Sequence, residues 1–367
     1  MVIEEIRVGF DKLKRFIRDV YEALGVCAEE AAICADVLVA ADEQGIHSHG
    51  VNRLKRIYYD RIRTGIQNPV TRFDVIRDRP TTAVVDGHNG MGQVIAKKSM
   101  DLAISKARSH GMGMVAVRNS THYGIAGYYL KMACDAEMIG ITGTNARPSV
   151  APTFGVENLL GTNPLCFGLP TDDGFPFLLD CATSIGQRGK IEAYAKLGKP
   201  IPTGWVIGSD GRPRTDASRI LEEFSKGMCS LVPLGGIGDE NGGHKGYGFA
   251  TVVEILSAAL QKGNYLKMLS GLRDGKLVPY RLGHFFIAID VSAFIEPETF
   301  RKTAGEILRT LRQSKKMERE ERIYTAGEKE YLYWCRNREK GCPLNRKVQH
   351  ELKEIASELG MVERLPF

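Results

Sequence analysis

Residues 112–124 read MGMVAVRNSTHYG, and this stretch decides the fold class. Its first half, 112–117, is a short apolar run of the kind that forms a buried strand. Its second half, 119–123, is a polar loop that leads to a helix predicted over 126–136. A strand that ends in a polar loop before a helix is typical of an α/β protein, in which ligands bind beyond the strand ends.

The flanking segments continue this alternation. Residues 81–86 are predicted as a strand, the Gly-rich turn 87–92 follows, and a helix is predicted to about residue 109. Further strands are predicted at 139–144, 165–169, 176–180 and 284–289, and helices at 185–197 and 249–260. We therefore expect an α/β core over residues 76–299.

Both chain ends are predicted to be helical. Apolar residues recur at helical spacing over 10–24, 28–44 and 53–63, and the first two runs stop at glycines. Residues 300–314 and most of 332–359 are also helical in pattern and rich in charge. We expect residues 1–75 to form a helical unit onto which the C-terminal helices of 300–367 pack back.

The bulk composition is that of a soluble globular protein. The 367 residues carry 50 basic and 44 acidic side chains, a formal net charge of +6, and 43% of them are hydrophobic. No apolar run is long enough to span a membrane, and the first residues lack the basic-then-apolar order of a signal peptide. We expect a cytoplasmic protein without a membrane partner.

Charged clusters and cysteines are assigned structural roles. Much of the basic excess lies at 301–353, interleaved with glutamates, which favours a solvated helical face over a nucleic-acid surface. We expect no nucleic-acid partner, and a basic nucleic-acid-binding module remains the remote alternative. The eight cysteines fit small core residues, so neither disulfides nor a metal site is expected.

Residues 46–53, IHSHGVNR, combine two imidazoles, a hydroxyl and a guanidinium. A dehydrogenase needs a group that titrates near neutrality to move a proton and a planar fork to hold a carboxylate. In this interpretation His49 moves the proton, Ser48 binds the substrate and Arg53 holds its carboxylate. The alternative is that His49 caps a helix and Arg53 forms a surface ion pair.

The loop 119–124, NSTHYG, places His122 at the carboxyl end of a predicted strand, where ligands of open sheets bind. Its side chains offer donors, acceptors and one titratable group. The alternative is a hydrogen-bonded turn whose Ser120 or Thr121 caps the next helix.

Three Gly-rich runs differ in context. Residues 111–116, GMGMVA, match a dinucleotide fingerprint by letters but lie between a helix and a strand, so we reject them. The runs 235–238 and 242–248 precede the helix predicted at 249, where backbone N–H groups and the helix dipole can face a phosphate. In the second run, Lys245 beside His244 would add a positive charge.

Residues 179–184, LDCATS, place Asp180 at a strand end before small hydroxyls. Such a segment can bind a ribose or a nicotinamide amide. It can equally be a strand-to-helix turn capped by Thr183 or Ser184.

Together these segments resemble the malate/L-lactate dehydrogenase family of NAD(P)-dependent oxidoreductases, which is separate from the Rossmann-fold lactate and malate dehydrogenases. The matching motifs are SHGVNR at 48–53, NSTHYG at 119–124, GTNPL at 161–165, DCATS at 180–184 and HKGYG at 244–248. They follow the family's order across most of the chain, and the resemblance is greatest to its malate dehydrogenase members.

The resemblance implies the family's own α/β fold, a non-Rossmann mixed-sheet arrangement with a helical domain built from both chain termini. It also implies a homodimer with its active site near the subunit interface, and NAD or NADP as the cofactor. His49 or His122 would be the proton donor and acceptor, and Ser48 and Arg53 would contact the substrate. The dinucleotide would be contacted by Asp180, Cys181, Ala182, His244 and Lys245.

We predict a 2-hydroxy-acid dehydrogenase, with malate and oxaloacetate as its substrate pair. On the same scaffold, the alternatives are a ureidoglycolate, a diketo-sugar acid or a cyclic imino acid. Arg147 departs from the family pattern, because relatives often carry small polar groups there. Its charge would alter substrate charge preference or cofactor choice.

Overall fold

A mixed sheet of seven strands lies at the centre of the molecule in the computed structural model, which describes residues 6–367. The strands in this range are β1 (Ile6–Val8), β2 (Asp74–Asp78), β3 (Thr82–Asp86), β4 (Met112–Ser120), β5 (Met138–Thr144), β6 (Leu165–Leu169), β7 (Phe177–Leu179), β8 (Val206–Gly208), β9 (Pro213–Arg214), β10 (Cys229–Leu231), β11 (Leu272–Arg273), β12 (Lys276–Leu277), β13 (Leu282–Asp290) and β14 (Cys342–Leu344).

The α-helices surround this sheet and form both ends of the chain. Over the described residues they are α1 (Phe10–Ala23), α2 (Ala28–Glu43), α3 (Asp60–Arg63), α4 (Gly92–His110), α5 (Ala126–Asp135), α6 (Arg188–Lys196), α7 (Ala217–Ser225), α8 (Gly243–Ala258), α9 (Pro297–Gln313), α10 (Glu328–Asn337) and α11 (Arg346–Glu358). The predicted mixed α/β fold is confirmed.

The central sheet has the order β2-β3-β4-β13-β5-β6-β7, and β13 lies between β4 and β5 and antiparallel to both. Its Phe285 and Phe286 are fully buried, as the apolar composition of this strand requires. The pairing sets Leu282 opposite Ser120 and His284 opposite Thr144. The carboxyl ends of β4 and β5 therefore meet the start of β13 at one edge of the sheet.

The two chain ends meet in a helical cluster. The buried faces of α1, α2 and α11 share one hydrophobic core, and β1 pairs with β14 beside it. α9 instead contacts the sheet side, where its Arg309 pairs with Asp172 at 2.7 Å and with Asp173 at 2.9 Å. The three-unit division at residues 75 and 300 stays a proposal.

A further hydrophobic cluster lies within the predicted core. It joins β8 and β10 to α6 and α7, with Ile191, Val206 and Ile220 among its buried residues. The strands β10, β8 and β9 form their own three-stranded sheet. This cluster brings the start of α6 close to the turn that carries Ser48, because a Cβ on Gly189 would lie 3.9 Å from the Ser48 Cβ.

Most predicted elements are confirmed, and the exceptions lie next to the candidate site. Residues 53–63 are not one α-helix: a 3-10 turn at Val51–Arg53 leads into a π-helical stretch at Leu54–Tyr59 and then α3. Residues 243–248, predicted as a loop, form the first turns of α8. Residues 119 and 120, also predicted as loop, end β4. β2, the β1–β14 pair, the short strands β8 to β12 and the helix α7 were not predicted.

Candidate active site

His122 follows β4 in a loop that is tied to the N-terminus of α4. The Thr121 hydroxyl accepts a bond from the Gly92 N–H at 2.9 Å and donates to the Gly90 carbonyl at 2.8 Å. A Cβ on Gly92 would come within 2.4 Å of the His122 carbonyl oxygen, so only glycine permits this approach. Thr121 therefore contacts the preceding helix; the alternative in which it caps α5 does not occur, because Ile125 is the cap residue there.

The Nδ1 atom of His122 has two protein contacts. It accepts the Gly124 N–H at 3.2 Å and lies 2.8 Å from the Tyr58 hydroxyl. The Gly124 contact fits a neutral ring with its proton on Nε2, whereas the hydroxyl can also accept a proton that the ring carries on Nδ1. Among residues 6–367, no side chain or backbone group bonds this Nε2, which is therefore available to a ligand.

His49 faces His122. Their ring centroids lie 5.8 Å apart with an interplanar angle of 20°. The Nδ1 of His49 is 2.9 Å from the Ser48 hydroxyl, which can either donate or accept. The sequence segments 46–53 and 119–124 thus meet, as their shared assignment to one site requires.

Asp42 holds the turn that carries His49. Its carboxylate accepts the Val51 N–H at 2.7 Å and lies 2.8 Å from the His47 Nδ1, while the His47 Nε2 lies 3.0 Å from the Tyr333 hydroxyl. The Cys342 sulfur joins Asp42 and His47 in a group whose donor atoms all lie within 4.8 Å of one another. This spacing would suit a metal ion, but both His47 nitrogens already have protein partners.

Arg53 is half-buried beside this turn, and its Nε donates to the Ser48 carbonyl. No carboxylate of residues 6–367 lies within ion-pair distance of it. The alternative roles from the sequence are therefore wrong: His49 caps no helix, and Arg53 is not a surface ion-pair partner. Glu192 acts on Arg53 only from beyond ion-pair distance, so a guanidinium beside two histidines remains open to an anionic ligand.

The electrostatic environment keeps both histidines neutral. Burial lowers the pKa of His49 to about 4, and the Arg53 charge acts in the same direction. Burial also lowers the pKa of His122 well below its usual value, helped by the charges of His49 and Arg61. An anionic ligand would offset these positive charges and raise both pKa values.

Asp180 lies in a cleft of about 320 Å³ near the His49 turn, which contributes Ile46 to the lining. Its carboxylate accepts the Gly127 N–H at 2.7 Å. Desolvation by the surrounding protein raises the pKa of Asp180, although part of its side chain faces the cleft. Cys181 and Ala182 follow, half-exposed. Neither Thr183 nor Ser184 caps α6, which begins after Gln187.

His244 and Lys245 are exposed on the first turn of α8. This turn packs backbone to backbone against the preceding Gly-rich run, since a Cβ on Gly243 would lie 2.2 Å from the Gly236 carbonyl oxygen. A cavity of about 480 Å³ opens beside Lys245. This cavity and the Asp180 cleft share no lining residue. The segments that line them are linked by a β-bridge between Ser184 and Pro233.

Three residues near the site were missed by the sequence interpretation. Tyr58 was assigned to an apolar stripe, and only the π-helical stretch turns its hydroxyl towards His122. Arg61 follows Arg53 by eight positions, a helical spacing that is visible in the sequence. Asp42 lies six positions before Ser48 on the buried face of α2. A carboxylate on a mostly apolar helix face was the sequence signal that could have identified it.

Comparison with known proteins gives a consistent result. A family model described as malate/L-lactate dehydrogenase matches residues 8–353. The malate dehydrogenase of Pyrococcus horikoshii is 46% identical over 356 residues, which are 97% of this chain and 96% of that protein. The L-sulfolactate dehydrogenase of Methanocaldococcus jannaschii is 39% identical over 95% of this chain and 96% of its own length.

A solved structure extends the similarity to the fold. The crystal structure of malate dehydrogenase from Entamoeba histolytica superimposes with a TM-score of 0.93 at 44% identity, covering 97% of this chain and 99% of that one.

Among residues 6–367, no helix combines the length and the apolar character that crossing a membrane requires.

Proposed function

The chain belongs to the malate/L-lactate dehydrogenase family, and from this membership we propose that it interconverts malate and oxaloacetate. Membership makes it a dehydrogenase that acts on a hydroxy acid with a nicotinamide cofactor. The observation that carries the choice of site is the pair of facing histidines, His49 and His122, beside Arg53, which forms no ion pair within residues 6–367. Sulfolactate is the second candidate substrate, because a relative of that name is 39% identical.

We assign the proton transfer to His122. When bound, the nicotinamide cofactor would exchange a hydride with C2 of the substrate, and the substrate oxygen would lose a proton in the oxidation and gain one in the reduction. To take that proton, Nε2 of His122 must carry the lone pair of the ring, so the reacting neutral ring holds its own proton on Nδ1, where the Tyr58 hydroxyl can accept it. The imidazolium keeps this Nδ1 contact and returns the proton from Nε2 in the reverse direction.

The remaining substrate contacts come from the turn. Arg53 would hold the C1 carboxylate through its terminal nitrogens, since its Nε is already bonded to the Ser48 carbonyl. Ser48 would hydrogen-bond the substrate, and His49 would orient the hydroxyl through its free Nε2. Holding C2 in a reactive geometry can lower the barrier by several kcal/mol.

For the cofactor, we propose that Asp180, Cys181 and Ala182 contact the nucleotide and that Lys245 and His244 contact its phosphates. An exposed lysine on the first turn of a helix suits an anion, because its charge adds to the positive end of the helix dipole. Asp180 presents a carboxylate to a cleft that reaches Ile46 of the catalytic turn. NAD and NADP are both compatible with this arrangement.

A homodimer is the proposed assembly, and the outer face of α8 supports it. Phe249, Val252 and Ile255 lie one turn apart on this face and are 52%, 47% and 54% exposed. Apolar patches of this kind mark association surfaces.

We place the protein in the cytoplasm, where eight free cysteines would remain reduced.

Steady-state assays with both cofactors test the proposal. Oxaloacetate, 3-sulfopyruvate, pyruvate and a cyclic imino acid are compared by kcat/KM in the reductive direction. Oxaloacetate is expected to give the highest kcat/KM. Turnover of the imino acid alone would overturn the 2-hydroxy-acid assignment, and a higher value for 3-sulfopyruvate would replace malate with sulfolactate.

A further inference from the structure

Arg61 and Arg147 lie at the sheet edge that carries His122, outside the set of residues assigned above. We propose that they form a second anion-binding pair beside His122, which selects hydroxy and keto acids carrying a second negative group on the side chain. The shared chemistry is a carboxylate or a sulfonate at C3. This inference rests on the proposed function and assigns the substrate charge to particular residues.

Arg61 reaches this place through the irregular helix. It follows Tyr58 by three positions, about one turn, and the Tyr58 hydroxyl lies 2.8 Å from the His122 Nδ1. Its guanidinium carbon lies 4.3 Å from the ring centroid of Tyr280. Such stacking fixes the plane of the guanidinium and leaves its edge free for a carboxylate or a sulfonate.

Tyr280 is itself held by a close contact. Gly271, at φ +74°, lies against its ring, and a Cβ on Gly271 would come within 2.6 Å of a ring carbon. Two residues after Tyr280, Leu282 pairs with Ser120 at the end of β4. The aromatic support of Arg61 thus belongs to the same sheet edge as the His122 loop.

Arg147 approaches from the neighbouring strand. It lies three residues after Thr144, the last residue of β5, whose register partner is His284. Its side chain is exposed. Arg61 is thus supported at the end of the sheet where β4 and β5 stop, and Arg147 follows β5 there. Burial lowers the pKa of Arg61, and the charge of Arg147 lowers it further.

Neither cation is compensated. Over the described range 6–367, no carboxylate lies within ion-pair distance of Arg61 or Arg147. Two adjacent positive charges repel, and their repulsion is relieved when an anion binds between them. Arg53 and Arg61 flank Tyr58 in the chain, so one substrate with two anionic ends can use both while its C2 oxygen faces His122.

The test compares dianionic with monoanionic substrates. kcat/KM is measured for oxaloacetate, 3-sulfopyruvate and pyruvate with the wild type, Arg61→Gln, Arg147→Gln and Arg61→Lys. The neutral variants are expected to lose about 10- to 100-fold on both dianionic acids and about twofold or less on pyruvate. Arg61→Lys, which keeps the charge, should recover part of the loss.

Arg63→Gln is the matched control, because Arg63 is an exposed arginine on the same short helix. It should leave all three kcat/KM values unchanged. The inference is wrong if the Gln variants lose equally on pyruvate, if they lose nothing, or if their KM for NADH or NADPH rises instead. A wild type that reduces no keto acid would refute the proposed function, whereas an unchanged preference in the variants would refute only this inference.

Discussion

His122 and His49 face each other across the candidate site but stand on different supports. His122 follows a strand of the central sheet, and its Nδ1 contacts both the Tyr58 hydroxyl and the Gly124 N–H. His49 lies in a turn held by Asp42, and its single hydroxyl partner permits either tautomer. The difference supports the proposal that proton transfer belongs to the sheet side and substrate binding to the turn side, where Arg53 also lies.

Replacing each histidine by asparagine tests this comparison most strongly. His122→Asn should lower kcat by about 100- to 10,000-fold, because it removes the group that moves the proton. His49→Asn should lower kcat less and raise KM. Thermal unfolding of both variants confirms that they are folded. A greater loss of kcat from His49→Asn would reverse the assignment.

Arg53→Lys probes the turn side alone. Lysine keeps the charge but loses the two-pronged contact with a carboxylate, so KM for the hydroxy acid should rise about tenfold while kcat changes little. The measurement is a full kcat and KM determination in both directions. An unchanged KM would remove Arg53 from the carboxylate site and leave only Arg61 and Arg147 as anion contacts.

Tyr58→Phe sharpens the sheet side. The His122 ring would lose the acceptor for its Nδ1 proton, both in the neutral form that takes the substrate proton and in the imidazolium. We expect kcat to fall about tenfold, which corresponds to about 1.4 kcal/mol. Tyr59→Phe, whose hydroxyl instead bonds Glu358, is the control and should leave kcat unchanged.

The pH dependence gives the smallest expected effect. Oxidation of the hydroxy acid needs a neutral histidine, and burial lowers the pKa of both His49 and His122. kcat/KM should therefore hold its plateau as the pH falls through 6.5 and decline only below it, provided that the substrate stays ionised. A decline centred at 6.5 would mean that the titrating group of the free enzyme is an unperturbed histidine. Arg61→Gln should move the decline of kcat/KM to higher pH, because the charge of Arg61 lowers the pKa of His122.

The regular elements could be predicted because their apolar periods are local. An apolar run followed by a polar loop was enough to predict β4 and the helix after it. The His122 loop could be placed at a strand end for the same reason. That His49 lies beside it depends on packing between the helical cluster and the sheet, which no local pattern records.

The missed features depend on distant partners. β1 and β14 have three residues each, and neither is recognisable without the other. The π-helical stretch that turns Tyr58 towards His122 has the same composition as an α-helix, so its register could not be predicted. The Gly-rich start of α8 was predicted as a loop because glycine disfavours helices, but close backbone packing requires it there.

The pairing of β1 with β14 has a consequence for how the protein is made. The far end of the chain supplies two contacts to His47: Cys342 of β14 lies beside it, and the Tyr333 hydroxyl lies 3.0 Å from its Nε2. The ribosome synthesises His47 and His49 early, but these late residues emerge only near the end of synthesis. A nascent chain would thus hold every strand of the central sheet before it holds the residues that support the His49 turn.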